Sequence, residues 1–344
     1  MCFSQDTKNI IGYSYATVKD YKVVDMEAVG FANVRLNSKY KTTTIQSIAS
    51  ISKSIMGVAL MKAVDENLVD LDEDINNYLP FKIGNPHSEN GNYITLRNLA
   101  THTSGILDSN KYWDNVYSSG TSPSMSLKEF VEAYFVSDGA FYEEGNFSKL
   151  GSNISYEYSN AASALVGYII EVQAKILFKD YVKEKIFIPL KMAHSGWGYN
   201  DIEQKNHTIH YDESLFEIKP YSLISYPDGG LKTDIEDLSV FLIELIKGYN
   251  GKSRLLTHTS WKELFKKQFS PSNPPKNHKL PKKNTGIFML IKSDHNIGHS
   301  GSDPGIYSDM YFNEETGEGK VFIMNTTLNK KNFQEYKDIQ SKIQ

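Results

Sequence analysis

The 344 residues carry 37 Lys and Arg against 41 Asp and Glu, a net charge of −4, and 40% are hydrophobic. That is ordinary globular composition, long enough to bury a sizeable core in one large domain or two lobes, and it offers no global positive field for nucleic acid or an anionic membrane. A single cysteine, Cys2, excludes an intrachain disulfide framework and a cysteine-based zinc set, and no apolar run reaches the length of a membrane span.

The opening Met1-Cys2-Phe3-Ser4-Gln5 resembles the tail of a bacterial export signal, so export to the periplasm or medium is expected. Residues Ile11–Val18 and Tyr21–Val34, rich in Val, Tyr and Ile, predict an N-terminal antiparallel hairpin. Polar residues from Leu36 to Thr44 then give way to Ile45-Gln-Ser-Ile-Ala-Ser50-Ile-Ser-Lys53-Ser and a long apolar run, read as a buried central helix ending near Asn67. Ile94–Ala100 predicts a short helix entering the turn Thr101-His102-Thr-Ser-Gly105, where His102 reads as a structural hydrogen-bonder before a catalytic group. Tyr112 and Trp113 are candidate cleft-rim aromatics in a loop that runs from Ile106 to Met125. Ser126-Leu-Lys-Glu129 is a capping box opening a helix through Phe135.

Tyr158-Ser-Asn160 stands at the entrance to the apolar helix Ala161–Ile170, and a further helix over Leu177–Phe187 stops before Pro189. His194-Ser-Gly196 is read as a turn. His207-Thr-Ile-His210 lacks the glutamate and the helical context of a zinc-protease site and is placed on the surface. Pro227–Gly230 is a turn, Thr233–Glu236 a second capping box opening a helix through Ile246, and Gln268–Asn284 an exposed loop. Strands are predicted over Gly286–Ile291, Ile297–His299, Ile306–Phe312 and Lys320–Asn325, with a hairpin loop over Asn313–Gly319 and a closing helix over Lys331–Ile343. Strands at both ends around a helical middle give an α+β fold: an antiparallel sheet built from N- and C-terminal segments, flanked by helices, with an inserted, mostly helical lobe.

Ser50 and Lys53 at i and i+3 share one helix face, and burial is the condition under which a lysine gives up its proton and acts as a base. A second Ser-x-x-Lys, Ser38–Lys41, has no buried helix behind it and is read as solvated loop. In an extended stretch Tyr158 and Asn160 project to one side. His299-Ser300-Gly301-Ser302 completes the set on a late strand.

These three elements, with Leu99-Ala-Thr-His-Thr-Ser-Gly105 and Gly229-Gly-Leu231, resemble the penicillin-recognising serine hydrolases, in particular the branch of class C β-lactamases, DD-peptidases, D-aminopeptidases and related esterases, over Ile11 to Thr327. The resemblance implies one catalytic domain over 1–344, an α/β lobe of about 8–66 and 220–344 and a helical lobe of about 67–219. It implies Ser50 as nucleophile, either Lys53 or a Tyr158 phenolate as base, Asn160 holding Lys53 or a substrate amide, and the N–H groups of Ser50 and Ser302 as oxyanion hole. His299 and Ser300 would line the side taking a substrate carboxylate or acyl group. No metal or cofactor is called for, and the partner is a small-molecule or peptide substrate.

One departure bears on substrate. Class C β-lactamases carry Lys-Thr-Gly where this chain has His299-Ser300-Gly301, so a fixed positive charge becomes a histidine lowered further by Lys53 and mostly neutral near pH 7. The expected enzyme therefore acts on an amide or ester as a D-amino-acid peptidase, carboxypeptidase or esterase, with weak β-lactamase activity at most. A true class C β-lactamase, or a receptor that is acylated without turnover, are the alternatives.

Overall fold

The computed structural model describes residues 9–87, 93–272, 274–280 and 282–343, so the Met1–Gln5 opening, Asn273 and Pro281 lie outside the described residues. The two ends of the chain build one eight-stranded antiparallel sheet. Its strands are β1 (Gly12–Lys19), β2 (Lys22–Asn33), β3 (Ser38–Lys39), β4 (Lys283–Thr285), β5 (Leu290–Lys292), β6 (Asn296–Asp303), β7 (Ile306–Asn313) and β8 (Gly319–Met324). They lie side by side as β4-β5-β6-β7-β8-β1-β2-β3, so β1 sits between its hairpin partner and a strand from the far end of the chain. Asp20 and Tyr21, both at positive φ (50° and 61°), close the β1–β2 hairpin in two residues, the turn geometry whose twist matches paired strands. β7 alternates buried and half-buried side chains along its whole length, so one face packs inward.

Six longer helices cover the sheet and fill the inserted segment: α1 (Ser52–Asp65), α2 (Leu127–Phe135), α3 (Asn160–Ala174), α4 (Ile235–Tyr249), α5 (His258–Phe265) and α6 (Phe333–Lys342). α1 is apolar on every side and is buried from Ser52 through Met61, as a helix with no solvent face must be. A continuous apolar core runs from Ala16 and Val321 on the sheet, past Ile55 and Leu60 of α1, to Ile169 and Phe178 in the helical insert. Among the described residues no single helix is long and apolar enough to cross a membrane.

Several expectations need correction. The strand expected over Gly286–Ile291 begins only at Leu290, because Ile287 N–H is taken by Leu264 O (2.9 Å) and Phe288 N–H by Ala100 O (3.0 Å), and Phe288 turns to φ 53°. The helix expected to stop before Pro189 continues through Leu190. It widens to a π-turn over Lys183–Phe187, which makes room for a ring that would otherwise strike the carbonyl four residues back. The cap of α4 is Asp234 rather than Thr233, its carboxylate accepting the Asp237 N–H at 2.9 Å. Ser38 is exposed, but on the short edge strand β3 rather than in a loop. His210 is buried and His207 half-buried, their rings 5.3 Å apart, so this pair is not on the surface.

Candidate active site

The chain reverses sharply before α1. Ala49 is held at φ 47°, in the left-handed region a residue with a Cβ seldom occupies, and Ala49–Ile51 form a 3₁₀ turn at the head of the helix. This turn is tied to the segment Gly229–Leu231: Ile48 N–H bonds Leu231 O at 3.0 Å, and Ser52 Oγ accepts the Leu231 N–H at 3.2 Å. Ser50 thus stands on a fixed 3₁₀ turn, one step before the α-helix expected to carry it. The Ser-x-x-Lys spacing still brings the side chains together, with Lys53 Nζ 3.4 Å from Ser50 Oγ.

Lys53 is completely buried. Its Nζ donates to Asn160 Oδ1 and to the backbone oxygen of Asp228, both at 2.7 Å, and its third direction is toward Ser50. All three contacts are with uncharged oxygens, so the amine is held in place by hydrogen bonds and not by an ion pair. The Asp228 carboxyl is occupied elsewhere, accepting the Tyr112 hydroxyl at 2.9 Å, and burial pushes its pKa up to about 7 against the pull of Lys53.

Tyr158 and Asn160 converge on this lysine from the start of α3. The Tyr158 ring centroid lies 5.1 Å from Lys53 Nζ, and Asn160 both holds Lys53 and lines the cleft. Asp108 fixes the approach: its carboxylate accepts the N–H groups of Asn160 (2.8 Å) and Ala161 (3.0 Å) and the Ser159 hydroxyl (2.9 Å), an acid at a helix N-terminus. His102 is buried with its ring 4.3 Å from that of Tyr158, and its Nδ1 accepts the Ser159 N–H at 3.3 Å. Burial, then Lys53, drives its pKa well below the usual histidine value. The structural reading of His102 therefore fits, with the addition that what it supports is Tyr158.

On the opposite wall, β5 pairs with β6 only at Ile297 and Gly298, which leaves β6 a free edge from His299 onward. Gly301 meets the Ser50 turn: a Cβ there would stand 2.3 Å from Ile48 O and 2.9 Å from Ser50 N. Ser302 and Ser50 line one cleft of about 570 Å³ together with Asn160, Tyr112, Trp113 and Asp228. Trp113 is half exposed at the rim as expected, whereas Tyr112 is buried.

His299 and Ser300 do not line this cleft, contrary to expectation. Side chains alternate along β6, so His299 and Gly301 turn inward and Ser300 turns to the other face beside Tyr311. His299 is buried, 6.2 Å ring to ring from Tyr158, with Nδ1 at 2.6 Å from Ser300 O, and burial and then Lys53 push its pKa down to about 3. The lowered direction agrees with the sequence reading; the substrate-facing position does not. Asp108, His102 and the Asp228 carbonyl were not foreseen as parts of the site. His194 sits in the expected turn and docks it to α4: its Nδ1 lies 2.6 Å from Asp234, and Asp237 accepts the His194 N–H (2.7 Å) and the Ser195 hydroxyl (2.8 Å). Those donor atoms are satisfied by one another.

A family model described as Beta-lactamase matches residues 2–342. Protein flp of Staphylococcus aureus (strain MRSA252) is 26% identical over 323 residues, which is 92% of this chain and 60% of that protein. The chain thus spans about 60% of the length of the first curated relatives it matches. Among solved structures, a penicillin binding protein from Bacillus halodurans superimposes with a TM-score of 0.73 at 19% identity, covering 95% of both chains. The D-amino acid amidase of Ochrobactrum anthropi SV3, in complex with L-phenylalanine, gives 0.73 at 22% identity over 93% of this chain and 87% of its own. At these identities the solved structures speak for the fold alone.

Proposed function

The chain belongs to the beta-lactamase family, and from that premise we propose that it hydrolyses an amide or ester through an acyl-enzyme on Ser50. The observation that carries this reading is the coordination of Lys53: a buried amine with two N–H groups engaged at 2.7 Å by neutral acceptors and its remaining direction toward the serine hydroxyl. Lys53, acting with the Tyr158 hydroxyl, takes the Ser50 proton as Oγ attacks the carbonyl carbon. The developing oxyanion is held by the N–H groups of Ser50 and Ser302, which line the same cleft and are pressed together because residue 301 has no side chain. The proton returns from the Lys53–Tyr158 pair to the leaving group as the carbonyl–heteroatom bond breaks. Water, deprotonated by the same pair, then releases the acid and restores Ser50. The proton transfer is assigned to Lys53 and Tyr158 together.

Within the class, a D-amino-acid amidase or peptidase, or an esterase, is favoured over an efficient β-lactamase. The position that carries lysine in the class C pattern is a buried histidine whose pKa is pushed down to about 3, so no fixed cation stands there to hold a β-lactam carboxylate. Export is part of the same proposal. Kinetics against p-nitrophenyl esters, D-amino-acid amides, D-Ala-D-Ala peptides and nitrocefin, with intact-mass detection of the Ser50 adduct, test it. Steady turnover of an ester or D-amide is the expected result. A catalytic preference for nitrocefin, or a stoichiometric burst with no turnover on any substrate, overturns it.

A further inference from the structure

Beside the catalytic cleft lies a second cavity of about 250 Å³. The two share Leu223, Gly229 and Asp303. Gly229 is the doorway: a Cβ there would lie 3.4 Å from Leu223 Cδ1 and 3.7 Å from the carbonyl carbon of Ala49, the residue before Ser50. The walls beyond are aromatic, from Trp197, Tyr199 and Tyr226.

Lys232 is buried among these residues, 4% exposed. Its Nζ donates to Gly230 O (3.1 Å) and Trp197 O (3.3 Å) and stands 4.6 Å above the Tyr199 ring; all three partners line the cavity. The other charged groups around the cavity have partners. Lys179 pairs with Asp201 at 2.9 Å, Glu171 accepts the Phe178 N–H at 3.1 Å, and Asp303 takes the hydroxyls of Tyr117 (2.5 Å) and Tyr221 (3.1 Å). Among the described residues no carboxylate comes within 4.0 Å of Lys232. An ammonium has three N–H donors, so one remains uncommitted, and a buried cation without a partner is costly. Burial lowers the Lys232 pKa to about 8, with the more distant Asp201 and Asp303 offsetting only part of that cost.

The cavity is on the acyl side. The leaving group must receive its proton from the Lys53–Tyr158 pair, and Tyr158 packs against His299. The cavity opens at Asp303, four residues further along β6, or about 13 Å at strand rise. A substrate whose carbonyl oxygen sits at Ser50 and Ser302 therefore has its leaving group on the Tyr158 side and its acyl group toward the cavity. We propose, resting on the acyl-enzyme reading above, that this cavity receives the acyl side chain of the substrate and that Lys232 selects chains ending in a carboxylate or similar compact anion. The aromatic walls take the apolar body of the chain, and the anion supplies the partner that Lys232 lacks.

The test compares p-nitrophenyl monoesters of straight-chain dicarboxylic acids (glutaric to suberic) with neutral alkanoate esters of matched length, in wild type and Lys232→Met. Taking the ratio of kcat/KM within each protein cancels changes common to both esters. In wild type the acid-ended ester is favoured by at least about tenfold at one chain length, and Lys232→Met lowers that ratio by roughly 10- to 100-fold, the range of one charge-assisted hydrogen bond. A wild-type ratio at or below unity at every length, or a ratio unchanged in the variant, overturns the proposal. Should Lys232→Met not fold, calorimetry on the wild type decides. Hexanoate must bind at least about tenfold more tightly than hexanamide, and equal or weaker binding overturns the assignment. Absence of a fluorophosphonate adduct on Ser50 would instead defeat the hydrolase reading, and the binding measurement would still report on the cavity.

Discussion

Gly301→Ala is expected to cut acylation by roughly 10²-fold in a protein that still folds. An alanine Cβ would stand 2.3 Å from Ile48 O and 2.9 Å from Ser50 N, where ordinary contact begins at 3.4 Å, so the two walls must part by about 1 Å. Neither wall yields freely. β6 is registered against β7 at every residue from Asn296 to Asp303, and the nucleophile turn is tied to Leu231 through both Ile48 and Ser52. The separation therefore opens between the N–H groups of Ser50 and Ser302, where a displacement of about 1 Å costs on the order of 10²-fold and the loss of one donor about 10²–10³-fold. Stopped-flow acylation with p-nitrophenyl acetate reads the rate, and a thermal melt confirms that the variant is folded. Ser300→Ala, on the other face of β6, serves as the comparison and should stay within about threefold of wild type. A folded Gly301→Ala protein that acylates within about threefold of wild type would refute the reasoning.

Four other outcomes follow from the same geometry. Ser50→Ala should abolish fluorophosphonate labelling while Ser38→Ala, on an exposed edge strand, retains it; an intact-mass adduct on the Ser50→Ala protein would sink the assignment. Lys53→Ala and Tyr158→Phe should each slow acylation by orders of magnitude, with a double mutant far less impaired than the product of the two, and simple additivity would contradict a shared proton transfer. His299 has a folded pKa of about 3 against about 6.5 when unfolded, so between those values the unfolded chain binds more protons. Its contribution to stability is thus full above about pH 6.5 and lost as pH falls toward 3. His299→Gln should make the urea midpoint fall less steeply than wild type between pH 6.5 and 4, and parallel slopes would show that the ring is not buried neutral. His299→Lys should destabilise the fold, read as a lower urea midpoint at pH 7, since its charge would be buried beside Lys53.

The meeting of Ser50 with Lys53 and the approach of Tyr158 and Asn160 to that lysine were legible because the members of each pair lie within one turn or two residues of each other, so local spacing sets the geometry. The sheet made from both ends was legible in the clustering of β-branched and aromatic residues there. Other features left no local trace. Asp108 caps α3 from 52 positions upstream of Asn160, and His102 supports a tyrosine 56 positions away. The Asp228 contact is made by a backbone oxygen, which no residue type announces. His299 was misplaced because a strand motif fixes which residues are present but not which face each one takes. His207 and His210 were placed outside on polarity alone, although their rings pack in the interior beside Tyr199 and Lys232.

Because β1 pairs with β8, Tyr13 against Met324, β1 leaves the ribosome roughly 300 residues before the strand that covers its edge. The wall beside the Ser50 turn, β6, is likewise made about 245 residues after that turn. A nascent chain therefore carries the Ser50 turn and the apolar α1 without either strand until that stretch has been made. Any product truncated before Asn296 would lack one wall of the cleft and leave β1 a bare edge open to pairing with other chains. The proposed activity would then require synthesis through β6, and a shorter fragment would be prone to aggregate rather than to act on a substrate.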